Sequence, residues 1–195
     1  MNSKKPHARN FRLYCVVDRD RAHYLLGNGS DAIQLRVKNL PSYELVKTAK
    51  PMARLSKRLG KAFLVNDRID AALASGSSGV HLGAGDLSVK RARRIMGRGA
   101  VVGKTVHSVA EAKASRREEC DYVSAGSIFR SPTKRHLGQK GLKFLRQIKR
   151  AVKKPLLAIG GINGKNAKAV LEAGADGISV LSAVSEIKKL KKAVK

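Results

Sequence analysis

Short apolar runs recur along the chain, separated by longer segments whose apolar positions follow a helical period. The runs are Leu13–Val17, Ala32–Arg36, Ala62–Asn66, Gly79–Leu82, Val101–Thr105, Asp121–Ala125, Pro155–Ile159 and Gly177–Val180, and each is expected to be a strand. Helices are expected over Ser42–Leu59, Ile69–Ser75, Ser88–Met96, Val109–Glu119, Leu142–Val152, Asn163–Ala173 and Ser182–Ala193. Ser88 and Asn163 supply N-caps and Gly174 a stop. The gap around Asp20–Gly27 is short and only weakly helical. Strands alternating with helices imply βαβ units and a parallel sheet. The pattern therefore predicts an α/β fold, a compact single-domain (β/α)8 TIM barrel with a shortened first helix. The competing architecture, a doubly wound open sheet, usually opens with G-x-G-x-x-G after its first strand. Here that strand ends in Val16-Val17-Asp18. The expected organisation is a basic tail over residues 1–11 and a barrel over residues 12–195, with no break in composition to mark a linker.

Charge narrows the partners. Lys and Arg number 41 against 14 Asp and Glu, a formal net charge of +27, which calls for anionic partners such as phosphorylated metabolites, nucleic acid or an anionic surface. Aromatic residues are only 4% and Trp is absent, so the stacking platforms of nucleic-acid binders are missing. Cations such as Lys90, Arg91, Arg93, Arg94, Lys188 and Lys189 are spread over helices and read as a solvated outer face. Hydrophobic residues at 43% exclude a disordered chain. Cys15 and Cys120 have neither metal-ligand spacing nor the density of a disulfide scaffold, and are expected to be reduced thiols. The first residues lack the apolar core of a signal peptide, and no apolar run approaches the ~20 residues of a membrane span. A cytoplasmic protein without membrane or specific nucleic-acid partners is expected, with self-association left open.

In a parallel barrel all strands end on one rim, and that rim carries the chemistry. Strand three ends in Asn66-Asp67-Arg68 and strand four in His81-Leu82-Gly83-Ala84-Gly85-Asp86, so Asp67 and Asp86 are expected side by side. Two carboxylates there suit a hydrated Mg2+ and, through it, a substrate phosphate. Each also has a plain reading as a helix cap. Alternation along strand two sends Gln34, Arg36 and Lys38 to the interior, which is costly unless they bind something or form an internal salt bridge. His81 reads equally as a satisfied core histidine or a ligand-facing one. Thr105 and His107 share a face at the end of strand five. The long loop after strand six carries Ser131, Thr133 and Lys134, donors suited to phosphate oxygens. Strands seven and eight end in Gly160-Gly161 and Leu181-Ser182, where glycines and helix starts favour a phosphate.

From Leu13 to Val184 the chain resembles the thiamine-phosphate synthase family, within the superfamily shared with thiazole tautomerase. The resemblance rests on Q-x-R-x-K (Gln34, Arg36, Lys38), N-D-R (Asn66–Arg68) and H-L-G-x-x-D (His81 to Asp86). Thr133-Lys134, A-I-G-G-I (Ala158–Ile162) and V-x-S (Val180–Ser182) extend it. It implies a transferase that joins 4-amino-2-methyl-5-hydroxymethylpyrimidine diphosphate to a thiazole phosphate and releases pyrophosphate. Asp67 and Asp86 would bind Mg2+, with Arg36, Lys38, Asn66 and Lys134 around the diphosphate. Gln34 and Thr105, with His81 nearby, would contact the aminopyrimidine. Ser131, Thr133, Gly161, Leu181 and Ser182 would hold the thiazole phosphate. The implied chemistry is dissociative: the electron-rich pyrimidine carries a cation at its methylene, and no protein nucleophile is needed. Arg36, Lys38, Lys134 and Thr105 would act in catalysis.

The chain departs from the family pattern at Ala84-Gly85, where an amide and an acid are usual, at Thr105, where serine is usual, and at Ser131-Pro132-Thr133-Lys134, which keeps the hydroxyls of T-x-T-K. Two other functions have sequence support. A thiazole tautomerase would use His107 as acid and base, in a segment resembling G-x-S-V-H-S. A non-enzymatic basic barrel would bind polyanions through its helices.

Overall fold

The computed structural model describes residues 6–18, 24–25, 28–130 and 138–194. Its strands are β1 (Leu13–Val17), β2 (Ala32–Leu35), β3 (Ala62–Asn66), β4 (Gly79–Leu82), β5 (Val101–Val106), β6 (Tyr122–Ala125), β7 (Leu156–Ile159) and β8 (Gly177–Val180). They pair in sequence order, all parallel, and β8 closes onto β1. The helices are α1 (Ser42–Arg58), α2 (Ile69–Ser75), α3 (Val89–Met96), α4 (Val109–Ala114), α5 (Gly141–Ala151), α6 (Ala167–Glu172) and α7 (Ile187–Ala193). The expected barrel is the observed one. Most of the weakly helical segment between β1 and β2 falls outside the described residues. None of the helices among the described residues is long and apolar enough to cross a membrane.

Period-two alternation splits the strand residues into two cores. Leu13, Cys15 and Val17 of β1, Phe63 and Val65 of β3 and Val123 and Ala125 of β6 face outward, into the annulus beneath the helices. Tyr14, Val16, Ala32, Leu64, Val101, Tyr122 and Leu157 face inward and fill the barrel. Ala8 and Phe11, from the segment expected as a tail, belong to this inner core at 4% and 3% exposure. The Phe11 ring lies 5.9 Å from Tyr14 and 5.7 Å from Tyr122, so an aromatic cluster closes the barrel from below.

At the lower rim, where strands begin, one arrangement recurs four times. The residue just before each even strand hydrogen-bonds reciprocally with the preceding odd strand. Asp31 Oδ2 accepts from Leu13 N (2.9 Å), Ser78 Oγ from Phe63 N (3.2 Å), Asp121 Oδ2 from Val102 N (2.7 Å) and Asp176 Oδ2 from Leu156 N (2.8 Å). In return the backbone N–H of each donates to the carbonyl of the same partner. Two of the acids also meet a close cation: Arg93 lies 2.7 Å from Asp121 and Lys149 2.7 Å from Asp176. These contacts satisfy strand-start donors that the ladder leaves open.

The helix expected over Val109–Glu119 ends at Ala114 and continues as a 3-10 turn over Ser115–Arg117, and three further expected boundaries shift for local reasons. The helix expected from Asn163 begins at Ala167, because Asn163 Oδ1 accepts from Lys165 N and Asn166 Oδ1 from Asn163 N, which holds the chain in a turn first. The last helix opens as a 3-10 turn over Ser182–Glu186, with non-helical backbone at Ala183. β2 stops at Leu35. The Arg36 N–H still donates to Val17 O, but Lys38 lies exposed in a bend and Asn39 adopts φ 56. Alternation therefore carries Arg36 inward and does not govern Lys38.

Candidate functional site

The upper ends of the strands surround one cavity. Gln34, Arg36, Asn66, His81 and Thr105 line it on one side, and Gly161, Leu181 and Ser182 on the other. These expected site residues thus converge from β2, β3, β4, β5, β7 and β8. Val16, Leu157, Ile159 and Val180 supply apolar wall, and His107 also reaches the cavity. Lys38 is not among the lining residues. Ser131, Thr133 and Lys134 lie outside the described residues.

The floor is polar and bonded throughout. Gln34, 4% exposed, donates from Nε2 to Tyr14 Oη at 3.0 Å. Tyr14 Oη meets Tyr122 Oη at 3.0 Å, and Tyr122 Oη meets His81 Nδ1 at 2.9 Å. His81 Nε2 meets Thr105 Oγ1 at 2.9 Å, and its ring stacks on Tyr122 with centroids 5.5 Å apart. His81 is therefore both a bonded core histidine and a cavity residue. Burial pushes the pKa of both phenols above the ordinary tyrosine value, so they stay neutral. Sequence reasoning missed Tyr14 and Tyr122, since a strand tyrosine reads as β-propensity. One signal was available: Gly103, inside β5, is the register partner of Tyr122, and a Cβ there would lie 2.2 Å from the tyrosine Cζ. A glycine within a strand marks such a close approach.

Beside the cavity mouth, Asp67 and Asp86 face each other. Asp67 stands at φ 63, its N–H donating to His81 O at 2.8 Å. Asp86 Oδ2 accepts from Gly83 N at 2.6 Å, which turns its side chain back toward β4. The Asp67 pKa is pushed up to about 7, first by partial desolvation and then by the hydrogen bond and charge of Asp86. Arg36 and Asn66 pull the other way without cancelling the shift. A carboxyl whose proton affinity is raised beside a second carboxylate forms a site that a cation would relax. Among the described residues no third His, Cys, Asp or Glu joins them.

Gly160 and Gly161 take φ of 101 and 64. A Cβ on Gly160 would meet Ser127 Oγ at 2.0 Å, and one on Gly161 would meet Arg130 O at 2.4 Å. These glycines let the loop after β6 pack against the end of β7, which is a structural demand separate from any phosphate.

A closed parallel barrel with a polar-floored cavity and paired carboxylates on the upper rim defines a TIM-barrel enzyme of small-molecule chemistry. The family described as thiamine monophosphate synthase matches residues 13–184, and the chain belongs to it. A thiamine-phosphate synthase from Methanoculleus marisnigri is 42% identical over 184 residues, covering 89% of this chain and 87% of that one. One from Moorella thermoacetica is 44% identical over 160 residues, covering 82% and 76%. The solved thiamine phosphate pyrophosphorylase from Pyrococcus furiosus superposes with a TM-score of 0.87 at 34% identity, covering 96% of each chain.

Proposed function

We propose that this protein is a thiamine-phosphate synthase, a transferase that moves the pyrimidinylmethyl group of 4-amino-2-methyl-5-hydroxymethylpyrimidine diphosphate onto the ring nitrogen of 4-methyl-5-(2-hydroxyethyl)thiazole phosphate. The observation that carries the reading is the Asp67–Asp86 pair beside Arg36 at the mouth of a cavity with a hydrogen-bonding floor. Family membership makes the substrates specific.

The donor set fits Mg2+. That ion takes hard oxygen ligands and is commonly held by one or two carboxylates, with waters and substrate phosphates completing its shell. Asp67 and Asp86 would hold it, and when bound it would neutralise charge on the departing diphosphate. The chain's own residues account for the remaining steps. Arg36 and Asn66 line the cavity and also interact with Asp67, and they would orient the diphosphate. Gln34 and Thr105 would hold the aminopyrimidine edge. Breakage of the carbon–oxygen bond sends its electron pair to pyrophosphate and leaves a cation at the pyrimidine methylene. Val16, Leu157, Ile159 and Val180 would keep water from capturing that cation before the thiazole nitrogen attacks. Gly161, Leu181 and Ser182, with Ser131 and Thr133 of the loop after β6, would hold the thiazole phosphate, and Lys134 of that loop would join the contacts to the diphosphate. Lys38 would reach the diphosphate from its bend. Both phosphorylated substrates and the buried thiols, Cys15 pushed up to about 12 and Cys120 to about 11 by burial, suit a cytoplasmic enzyme.

A tautomerase has one observation behind it, the presence of His107 on the cavity wall. It gives no role to the Asp67–Asp86 pair. The test is a coupling assay with the pyrimidine diphosphate, thiazole phosphate and Mg2+, read as fluorescent thiochrome. Wild type is expected to give product, whereas Asp67→Ala and an EDTA-treated sample are not. Well-folded wild type that yields no product would overturn the reading.

A further inference from the structure

Residues 122–171 hold 12 Lys and Arg and no Asp or Glu. The fold lays this imbalance on one flank of the barrel, where α5 packs between α4 and α6. Helix α5 buries Leu145, Ile148 and Ala151, which leaves Lys143, Arg146 and Arg150 exposed on its outer face at spacings of three and four. At ~1.5 Å per residue this row is about 10 Å long. Lys113, Arg116 and Arg117 stand on one side of it, along α4 and the 3-10 turn that follows, and all three are exposed. Lys165 and Lys168, also exposed, stand on the other side around the start of α6. Arg116 joins two of these elements, because its guanidinium donates to Arg150 O at 3.0 Å and to Ala151 O. Neighbouring acids do little to offset the charge. Glu111 accepts from His107 N, Glu118 holds Lys104, Asp121 holds Arg93 and Asp176 holds Lys149. Glu172 lies 3.9 Å from Lys168, and Glu119 is exposed at the border.

A helix face that serves only as a solvated surface commonly alternates its charges, whereas like charges one turn apart repel. A row of one sign suits a partner that supplies the other sign at regular intervals. We propose that this flank docks the phosphate backbone of double-stranded nucleic acid without reading its sequence. A duplex carries one negative charge per ~1.7 Å of its axis, so several cations of a rigid row meet phosphates together and release their counterions. The flank is poorly suited to the other large polyanions. Peripheral binding to an anionic bilayer pairs cations with an apolar face that enters it. The exposed large hydrophobic residues among those described are Tyr24, Tyr43, Leu59, Leu73, Leu87 and Ile95, all in residues 24–95 and none on this flank. Single strands are held by stacking their bases on aromatic rings. Phe144 of α5 is half-buried, with Lys140 Nζ 4.7 Å from its ring centroid, and offers no open platform. The surface is also separate from the cavity, since Lys143, Arg146 and Arg150 are not among its lining residues.

The test is anisotropy of a fluorescein-labelled duplex of arbitrary sequence, titrated with the full chain at salt from about 50 to 200 mM. Wild type is expected to bind, with the logarithm of the binding constant falling linearly with that of the salt concentration. A triple variant, Lys143→Gln, Arg146→Gln and Arg150→Gln, keeps good helix formers on α5. It is expected to bind roughly tenfold or more weakly near 100 mM salt and to lose about 3 from the magnitude of the slope, ~0.9 for each phosphate contact removed. The control takes the same charge from α3 by Lys90→Gln, Arg91→Gln and Arg94→Gln, and its binding should stay within about twofold of wild type. Equal weakening by the two triple variants would reduce the effect to net charge and overturn the surface. So would a wild type that binds no duplex at the lowest salt, or one that binds anionic vesicles or the single strand more tightly than the duplex. A second duplex sequence should bind equally, and a preference beyond about threefold would overturn the backbone-only mode. If the α5 triple variant does not fold, Lys143→Gln with Arg146→Gln takes its place, with a slope smaller by about 2. The coupling rate should be unchanged in every variant, so the outcome is independent of the synthase reading.

Discussion

The two rims of the barrel use carboxylates in opposite ways. On the lower rim Asp31, Asp121 and Asp176 each accept from a strand-start N–H, and Asp121 and Asp176 also meet a cation within 2.7 Å. On the upper rim Asp67 and Asp86 are set against one another, and partial desolvation together with that pairing pushes the Asp67 pKa up to about 7. The lower acids are satisfied by the fold. On the upper rim Gly83 N–H donates to Asp86 and Asn66 bonds Asp67, yet the two carboxyl groups still face one another. In a chain with 14 acids against 41 bases, this division separates acids that hold the barrel together from a pair that the proposed function assigns to a ligand.

The largest effect should come from Asp67→Ala, which is expected to lower the coupling rate by about 100- to 1,000-fold. Its melting temperature should match or slightly exceed that of wild type, because an electrostatic conflict has been removed. A variant that loses activity only because it unfolds would erase the contrast between rims.

Asp121→Ala should do the reverse. It leaves the Val102 N–H without its side-chain acceptor and takes from the Arg93 guanidinium its carboxylate partner, at a cost of about 2–3 kcal/mol, read as a melting temperature lower by roughly 5–10 °C. The folded fraction should keep its kcat/KM. Ser78→Ala removes a neutral version of the same contact and should cost only about 1 kcal/mol. Equal losses for the two would mean that charge adds nothing at the lower rim.

The last effect is a pH dependence. The Asp67 pKa in the folded chain, about 7, lies above its ordinary value of 3.8. Between those values the folded state retains a proton that the unfolded chain has released. Stability of the metal-free protein should therefore fall as pH rises across that window and level off above it. Asp67→Asn should flatten the slope, as should saturating Mg2+ with pyrophosphate. The same slope in Asp67→Asn would remove the upper-rim pair as its source.

Much of this contrast was legible in the sequence, and the reasons differ by element. The strands were readable because alternation and β-branched runs are local, and the observed boundaries fall within one residue of those expected. Asp67 and Asp86 were readable because parallel strands bring equivalent ends together. Lys38 was misplaced by extending alternation past the point where β2 ends, a boundary set by pairing rather than by the residue itself. The lower-rim caps were not picked out because each is a single Asp or Ser before a strand, and only the fourfold recurrence gives them meaning. Tyr14 and Tyr122 went unnoticed for a different reason. Their hydroxyls acquire a role only when β1 and β6 face each other across the closed barrel.

Phe11 and the two tyrosines above it make the barrel a blind well. A molecule that reaches the Gln34–Thr105 floor arrives and departs through the same mouth, past Asp67 and Asp86. For a two-substrate reaction this imposes a queue. With the pyrimidine deepest, as proposed, it would enter before the thiazole closes over it, and initial-rate patterns should show compulsory order rather than random addition. The thiazole would then act as the stopper of its own reaction vessel, keeping the methylene of the proposed intermediate away from bulk water until the new bond forms.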